Sequence, residues 1–214
     1  MTSLPVGHFI VIEGGDAGGK STQVTRLVDR LRESGRYVVA TFEPGATEVG
    51  RVLRSVVLGE SSRLDPRAEA LIIAADRAQH TAEVVRPALS RGFDVVSDRY
   101  IPSSLAYQGR ARELGVDVIR RISGWATDWL EPDLVVVIDV PQEIAARRSA
   151  GRLTGGSGDR MENESVAFHA AVRQAYLDLA ERFGWVLVDG TGDADEVSMR
   201  VWKVVTARFG LPTT

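Results

Sequence analysis

Short apolar runs alternate with longer amphipathic ones along most of this 214-residue chain. The apolar runs fall at His8–Ile12, Tyr37–Phe42, Phe93–Ser97, Asp133–Val140 and Trp185–Val188, and their length and β-branched content read as strands. Between the first two, Val24, Leu27, Val28 and Leu31 recur at i, i+3, i+4 and i+7, which gives a helix one face to bury. Asp65-Pro66 has the form of a helix start, an N-cap residue followed by a proline suited to the first turn. Helical patterns also cover Val118–Trp129, Pro141–Ala150, Glu164–Phe183 and Asp195–Phe209. Strands this short and this apolar need cover on both faces. The alternation therefore predicts an α/β fold, a parallel sheet of about five strands between two helical layers.

Composition narrows the class. The length suits one domain over 1–214, with one small insertion. Cysteine is absent, which removes disulfides, thiolate metal sites and a cysteine nucleophile. A net charge of −3 argues against a general nucleic-acid coat. No basic leader and no apolar run of bilayer length occurs, so the expectation is a cytoplasmic protein without a membrane partner.

The first strand runs straight into Gly14-Gly15-Asp16-Ala17-Gly18-Gly19-Lys20-Ser21-Thr22, the Gly-x-x-x-x-Gly-Lys-Ser pattern of a phosphate-binding loop. Glycines let successive N–H groups turn inward around an anion, and the following helix aims its positive end at the same point. Lys20 brings a mobile charge for the β/γ-phosphates, and Ser21 a hard oxygen for Mg²⁺. Lys20 and Lys203 are the only lysines, so a basic surface position would almost always be arginine here. With that scarcity a random match has a probability of about 0.2 per cent. The pattern predicts a three-layer P-loop NTPase fold.

Other candidate chemistry sits at strand and helix ends. Ser97-Asp98-Arg99-Tyr100 closes the third apolar run, where ligands gather in open α/β sheets; Asp98 could serve Mg²⁺, and Arg99 could fork onto a phosphate. A strand-end ion pair is the plainer alternative. Arg77 and Gln79 are donors suited to the edge of a base, or else members of a solvated helix face. His80 has no evident acidic or histidine partner in sequence and reads as a surface residue. The glycine-rich stretch Ser149–Asp159 is flanked by Arg147, Arg148, Arg152 and Arg160. It reads either as a disordered loop tip or as a mobile lid, spanning about residues 147–162, that closes over phosphate. Arg148 and Arg152 share a face if the helix persists.

Taken in order, Phe9–Thr22, Glu43-Pro44-Gly45, Ala75-Asp76-Arg77, Asp98-Arg99-Tyr100 with Ser103-Ser104-Leu105-Ala106-Tyr107-Gln108-Gly109, Pro132-Asp133 through Asp139, and Asp159-Arg160-Met161-Glu162 resemble the thymidylate kinases, a nucleoside-monophosphate kinase family. The resemblance implies ATP-dependent conversion of dTMP to dTDP with Mg²⁺ at Ser21 and Asp98, by direct in-line transfer, in a homodimer. It implies an ATP site at Gly14–Thr22. Its dTMP site comprises Asp16 near the sugar, Arg99 on the phosphate, Arg77 and Gln108 on the thymine edge, Tyr107 under the deoxyribose, and Ile73 and Ser104. Catalytic charge would come from Lys20, Arg99 and the lid arginines Arg148, Arg152 and Arg160. A kinase for another nucleotide or a deoxynucleoside, and a non-catalytic nucleotide-binding subunit, are the alternatives.

Three positions depart from the family pattern. The loop reads Asp16-Ala17-Gly18-Gly19-Lys20 where Asp/Glu-Gly-Ala-Gly-Lys is usual. Phe42 stands where arginine is common. Ile73 replaces the phenylalanine that usually stacks on the base, and an isoleucine covers a ring without offering a π face.

Overall fold

The computed structural model describes residues 7–59, 63–152 and 159–212, the side chains of 151 and 152 excepted. Residues 153–158 of the glycine-rich insertion and the side chain of Arg152 thus lie outside the described residues.

Five parallel strands form one sheet in the order β2-β3-β1-β4-β5: β1 Phe9–Glu13, β2 Val38–Phe42, β3 Asp94–Asp98, β4 Leu134–Asp139 and β5 Val186–Asp189. Each expected strand is present, its ends shifted by at most one residue. In the centre, Val11 lies opposite both Ser97 of β3 and Val135 of β4. Alternation along the strands feeds two cores. Phe9, Val11, Val95 and Val137 pack on one face with α3 (Pro66–His80), α6 (Val116–Thr127) and α8 (Val166–Phe183). Ile10, Ile12, Val96 and Ile138 pack on the other with α1 (Lys20–Glu33) and α9 (Ala194–Phe209). Val24, Leu27, Val28 and Leu31 of α1 are all buried, as their spacing predicts. This is the three-layer arrangement.

Asp65 caps α3, its carboxylate accepting from the Arg67 N–H at 2.9 Å. The helix α7 (Gln142–Arg152) persists through both arginines spaced four apart. Unforeseen elements are α2 (Glu48–Leu58), the short α4 (Arg86–Ser90) and α5 (Ile101–Ser104), and π-helical segments at Thr81–Val85 and Leu105–Ala111. In α2 the residues Val49, Val52 and Val56 are exposed, so its apolar stripe faces away from the core and no buried-face rule finds it. No described helix is long and apolar enough to cross a membrane.

Candidate active site

The loop after β1 is shaped by backbone constraints. Gly14 takes φ 135°, and a Cβ there would lie 2.4 Å from the Ile138 carbonyl oxygen of β4, so only glycine lets the loop leave beside its neighbour strand. Gly19, at φ 87°, heads α1 with no side-chain cap. In contrast, Thr47, Asp65, Ser165 and Asp193 close the N-termini of α2, α3, α8 and α9. The first-turn N–H groups of α1 are therefore left for an anion. Lys20 is buried and its Nζ donates to the Gly15 carbonyl at 2.8 Å. Burial, with Arg99 nearby, lowers its pKa from the usual lysine value to about 8.

Ser21 Oγ donates to Asp98 Oδ2 at 2.6 Å. Two hard oxygens side by side at the loop fit a Mg²⁺ ion that draws its other ligands from phosphate and water. No cluster of three or more metal-ligating side chains occurs among the described residues.

Beyond Asp98 the chain turns at Arg99, whose backbone is left-handed at φ 74° and is held by Ile12 and Ser97. Its guanidinium donates to Ser103 Oγ at 3.0 Å and to the Asp16 carboxylate, and lies 5.2 Å from the Tyr107 ring centroid. Tyr107 donates to Asp16 at 2.8 Å. Burial would raise the Asp16 pKa, but Arg99, Lys20 and Tyr107 together carry it below the ordinary value, so Asp16 is an anion. Beneath this pair, Glu13 is fully buried. It accepts from the Tyr100 N–H, Ser103 Oγ and Tyr176 Oη at 2.7–2.8 Å. A lone acid closing an otherwise apolar strand is the sequence signal for it.

A cavity of about 470 Å³ joins these groups. Lys20, Ser21 and Asp98 line one end, with Asp16 and Arg99 between; Ile73, Arg77, Ser104, Tyr107 and Gln108 line the other. Every residue expected at a dTMP site is on its wall. Arg77 is 1 % exposed. Its Nε donates to Glu43 at 2.8 Å, Nη1 to Ser104 and Ser123 at 3.0 and 3.2 Å, and Nη2 to the Tyr100 carbonyl at 3.0 Å. One Nη2 hydrogen has no acceptor among the described residues. Gln108 is equally buried and gives its Nε2 to Glu69 at 2.8 Å, leaving Oε1 without a donor among the described residues.

Several readings change. His80 is a core residue: it is fully buried between Glu43 Oε1 at 2.8 Å and Thr41 Oγ1 at 2.6 Å. Those partners are distant in sequence, so no local pattern could disclose them. Gln79 points outward to Glu83, and of that pair only Arg77 belongs to the cavity. Among the lid arginines, Arg148 donates to the Gly190 and Gly192 carbonyls at 3.0 and 3.3 Å. Arg160 is not with the phosphate loop; it donates to Glu69 at 2.5 Å and to the Val57 carbonyl at 2.9 Å. Glu43, Arg54 and Ser103 line the cavity without having been assigned, Arg54 through a 2.7 Å bond to the Pro44 carbonyl. Gly14, Gly15 and Gly18 border a second space of about 300 Å³ between α7 and α8.

A parallel sheet with an anion loop after its first strand, an uncapped helix behind that loop and a second guanidinium site in the same cavity defines a phosphate-loop protein built for two neighbouring anions. A family profile described as "Thymidylate kinase" matches residues 12–201. The chain is 41% identical to the thymidylate kinase of Halothermothrix orenii over 93% of its own length and 96% of that protein. It is 46% identical to that of Leifsonia xyli subsp. xyli (91% and 92% covered), and 48% identical to that of Clavibacter sepedonicus (84% and 88% covered). The chain belongs to the thymidylate kinase family.

Proposed function

We propose that this chain transfers the γ-phosphoryl group of ATP to the phosphate of dTMP, forming dTDP. The observation that carries this reading is the single cavity running from Lys20 and Ser21, past Arg99, to the free Nη2 hydrogen of Arg77 and the free Oε1 of Gln108.

The acceptor phosphate is already anionic near neutral pH, so its oxygen attacks the γ-phosphorus in line without a strong base, while the bond from that phosphorus to the β,γ-bridging oxygen breaks and ADP leaves. Lys20 and the first-turn N–H groups of α1 hold the ATP phosphates, and Arg99 aligns the acceptor once its phosphate displaces Asp16 from the guanidinium. Mg²⁺ held by Ser21 and Asp98 would neutralise phosphate charge. At the far end, Arg77 donates to a ring carbonyl while Gln108 accepts from a ring N–H, the pattern of a thymine O4 and N3. Cytosine inverts both, and each mismatch leaves a buried polar group unpaired at roughly 1–3 kcal/mol. Ile73 supplies apolar cover, and Tyr107 packs against the sugar. Arg148 and Arg152 complete the charge when the lid closes, with Arg160 as its anchor on α3.

The same reading makes the protein a cytoplasmic homodimer. Its support is the exposed apolar surface on three adjoining helices: Val49, Val52 and Val56 of α2, Leu71 of α3, and Trp125, 84 % exposed, of α6. Initial rates with ATP against dTMP, dUMP, dCMP, dGMP and thymidine test the assignment. Stoichiometric dTDP with dTMP as the preferred acceptor is expected; turnover of thymidine alone, or of none, overturns it.

A further inference from the structure

A glutamine carboxamide can face a cavity with either end, offering a donor or an acceptor. For Gln108 a neighbour behind the wall decides which. Glu69 of α3 is 1 % exposed and does not line the cavity. Its Oε1 accepts from Gln108 Nε2 at 2.8 Å, and its Oε2 from Arg160 at 2.5 Å and Arg112 at 3.3 Å. An ionised carboxylate only accepts, so it can bond only the nitrogen end of the amide. A flipped Gln108 would set carbonyl oxygen against carboxylate in a low-dielectric interior.

The two counterions are themselves fixed. Arg112 lies 4.6 Å from the Phe168 ring centroid and is bonded to Glu164, and Arg160 is bonded to the Val57 carbonyl. Burial would push the Glu69 pKa up, but bonds from Arg160 and Gln108 and the charge of Arg112 bring it below the usual carboxylate value.

We propose that Glu69 is a specificity-positioning residue: by accepting from Gln108 Nε2 it locks Oε1 toward the cavity, so the acceptor base must present a ring N–H there, as thymine and uracil do and cytosine does not. The proposal rests on the cavity being a dTMP site. It gives Glu69 no contact with substrate; its effect passes through one amide.

The test is a double-mutant cycle of Glu69→Gln and Gln108→Leu, read as KM and kcat for dTMP, KM for ATP, and the dTMP/dCMP ratio of kcat/KM. A glutamine at 69 can donate or accept, which frees the Gln108 amide. Glu69→Gln is expected to raise KM for dTMP about tenfold, the loss of one buried hydrogen bond. The dTMP/dCMP ratio should fall by a similar factor, with kcat and KM for ATP nearly unchanged. In the Gln108→Leu background the substitution should have no further effect, since its route is gone. Additive losses, or an unchanged KM for dTMP beside a raised one in Gln108→Leu, overturn the proposal alone. A normal KM for dTMP in Gln108→Leu overturns the base assignment first. If Glu69→Gln fails to fold, ¹⁵N-glutamine-labelled native protein answers instead. The carboxamide signal missing from Gln108→Leu should exchange its hydrogens slowly before dTMP is added, and rapid exchange overturns the proposal.

Discussion

The two ends of the cavity are held by different kinds of contact. At the base end, Arg77 and Gln108 are tied to the buried carboxylates Glu43 and Glu69, which have further fixed partners in His80, Arg112 and Arg160. Nothing there needs rearranging to receive a ring. At the phosphate end, Lys20 rests on a carbonyl of its own loop, Arg99 on Asp16, and Arg148 on the carbonyls of Gly190 and Gly192. Each of these cations has a weak or replaceable partner that an incoming phosphate would displace. Under the proposed assignment, selectivity is built into the folded core, whereas charge neutralisation waits for the ligand. The same residue type, a buried cation, should then behave oppositely at the two ends.

Lys20→Ala should lower kcat by about 10²–10³-fold, the scale of losing one preorganised charge in a transition state, while thermal stability stays within about 1 kcal/mol. Steady-state rates with a urea melt check both halves; turnover within threefold of the parent would remove Lys20 from the chemistry. Arg77→Met should show the reverse signature. Removing it leaves Glu43 buried without its arginine, a loss of about 3–5 kcal/mol in stability. A melt as stable as the parent would break the contrast between the ends.

A subtler distinction is in the protonation of Lys20, whose pKa near 8 reflects burial in the ligand-free loop. Below pH 8 the ammonium is present and ATP meets a cation. Above pH 8 the free protein has lost that proton, and binding must take one up, so affinity for ATP should fall by up to about tenfold per pH unit. Affinity for dTMP, which the proposed function assigns to Arg77 and Gln108, should not follow. Titration calorimetry at pH 8.5–9 in buffers of different ionisation enthalpy would reveal the uptake; a flat ATP affinity from pH 7 to 9 would contradict it.

Local sequence pattern marks the anion loop better than it marks the supports of the base end, for a physical reason. An anion loop is local: a strand, a few glycines, a lysine and a helix start lie within fourteen consecutive residues, Phe9–Thr22. The five strands also followed from the apolar runs, because a sheet covered on both faces imprints them on the chain, whereas their order in the sheet came only with the structure. The supports of the base end are non-local. Glu69 reaches Gln108 from 39 residues away, and Glu43 reaches His80 from 37, so neither pairing leaves a periodicity to read. Arg160 looked like a phosphate ligand by position, yet a buried carboxylate on α3 holds its guanidinium. The helix α2 escaped because its valines face outward.

The smallest effect concerns the loop itself. Ala17 sits at φ 57°, a left-handed conformation that costs an L-residue roughly 1–2 kcal/mol and glycine almost nothing. Gly18 is not left-handed, and a Cβ there would meet the Gly15 carbonyl oxygen at 3.1 Å, a tight contact that a small shift relieves. The usual family order, glycine then alanine, would therefore put the Cβ where the backbone tolerates it, and this chain has the pair reversed. Ala17→Gly should stabilise the fold by about 0.5–1 kcal/mol, the strain released less the entropy that glycine adds to the unfolded chain. Ala17→Gly with Gly18→Ala should keep most of that gain, reduced by whatever the 3.1 Å approach costs. Because the N–H groups around the anion keep their directions, kcat should hardly move in either variant. Urea midpoints separate the outcomes: a destabilised Ala17→Gly would mean that the left-handed turn is not a strained one, and that the reversal carries no cost for the loop to recover.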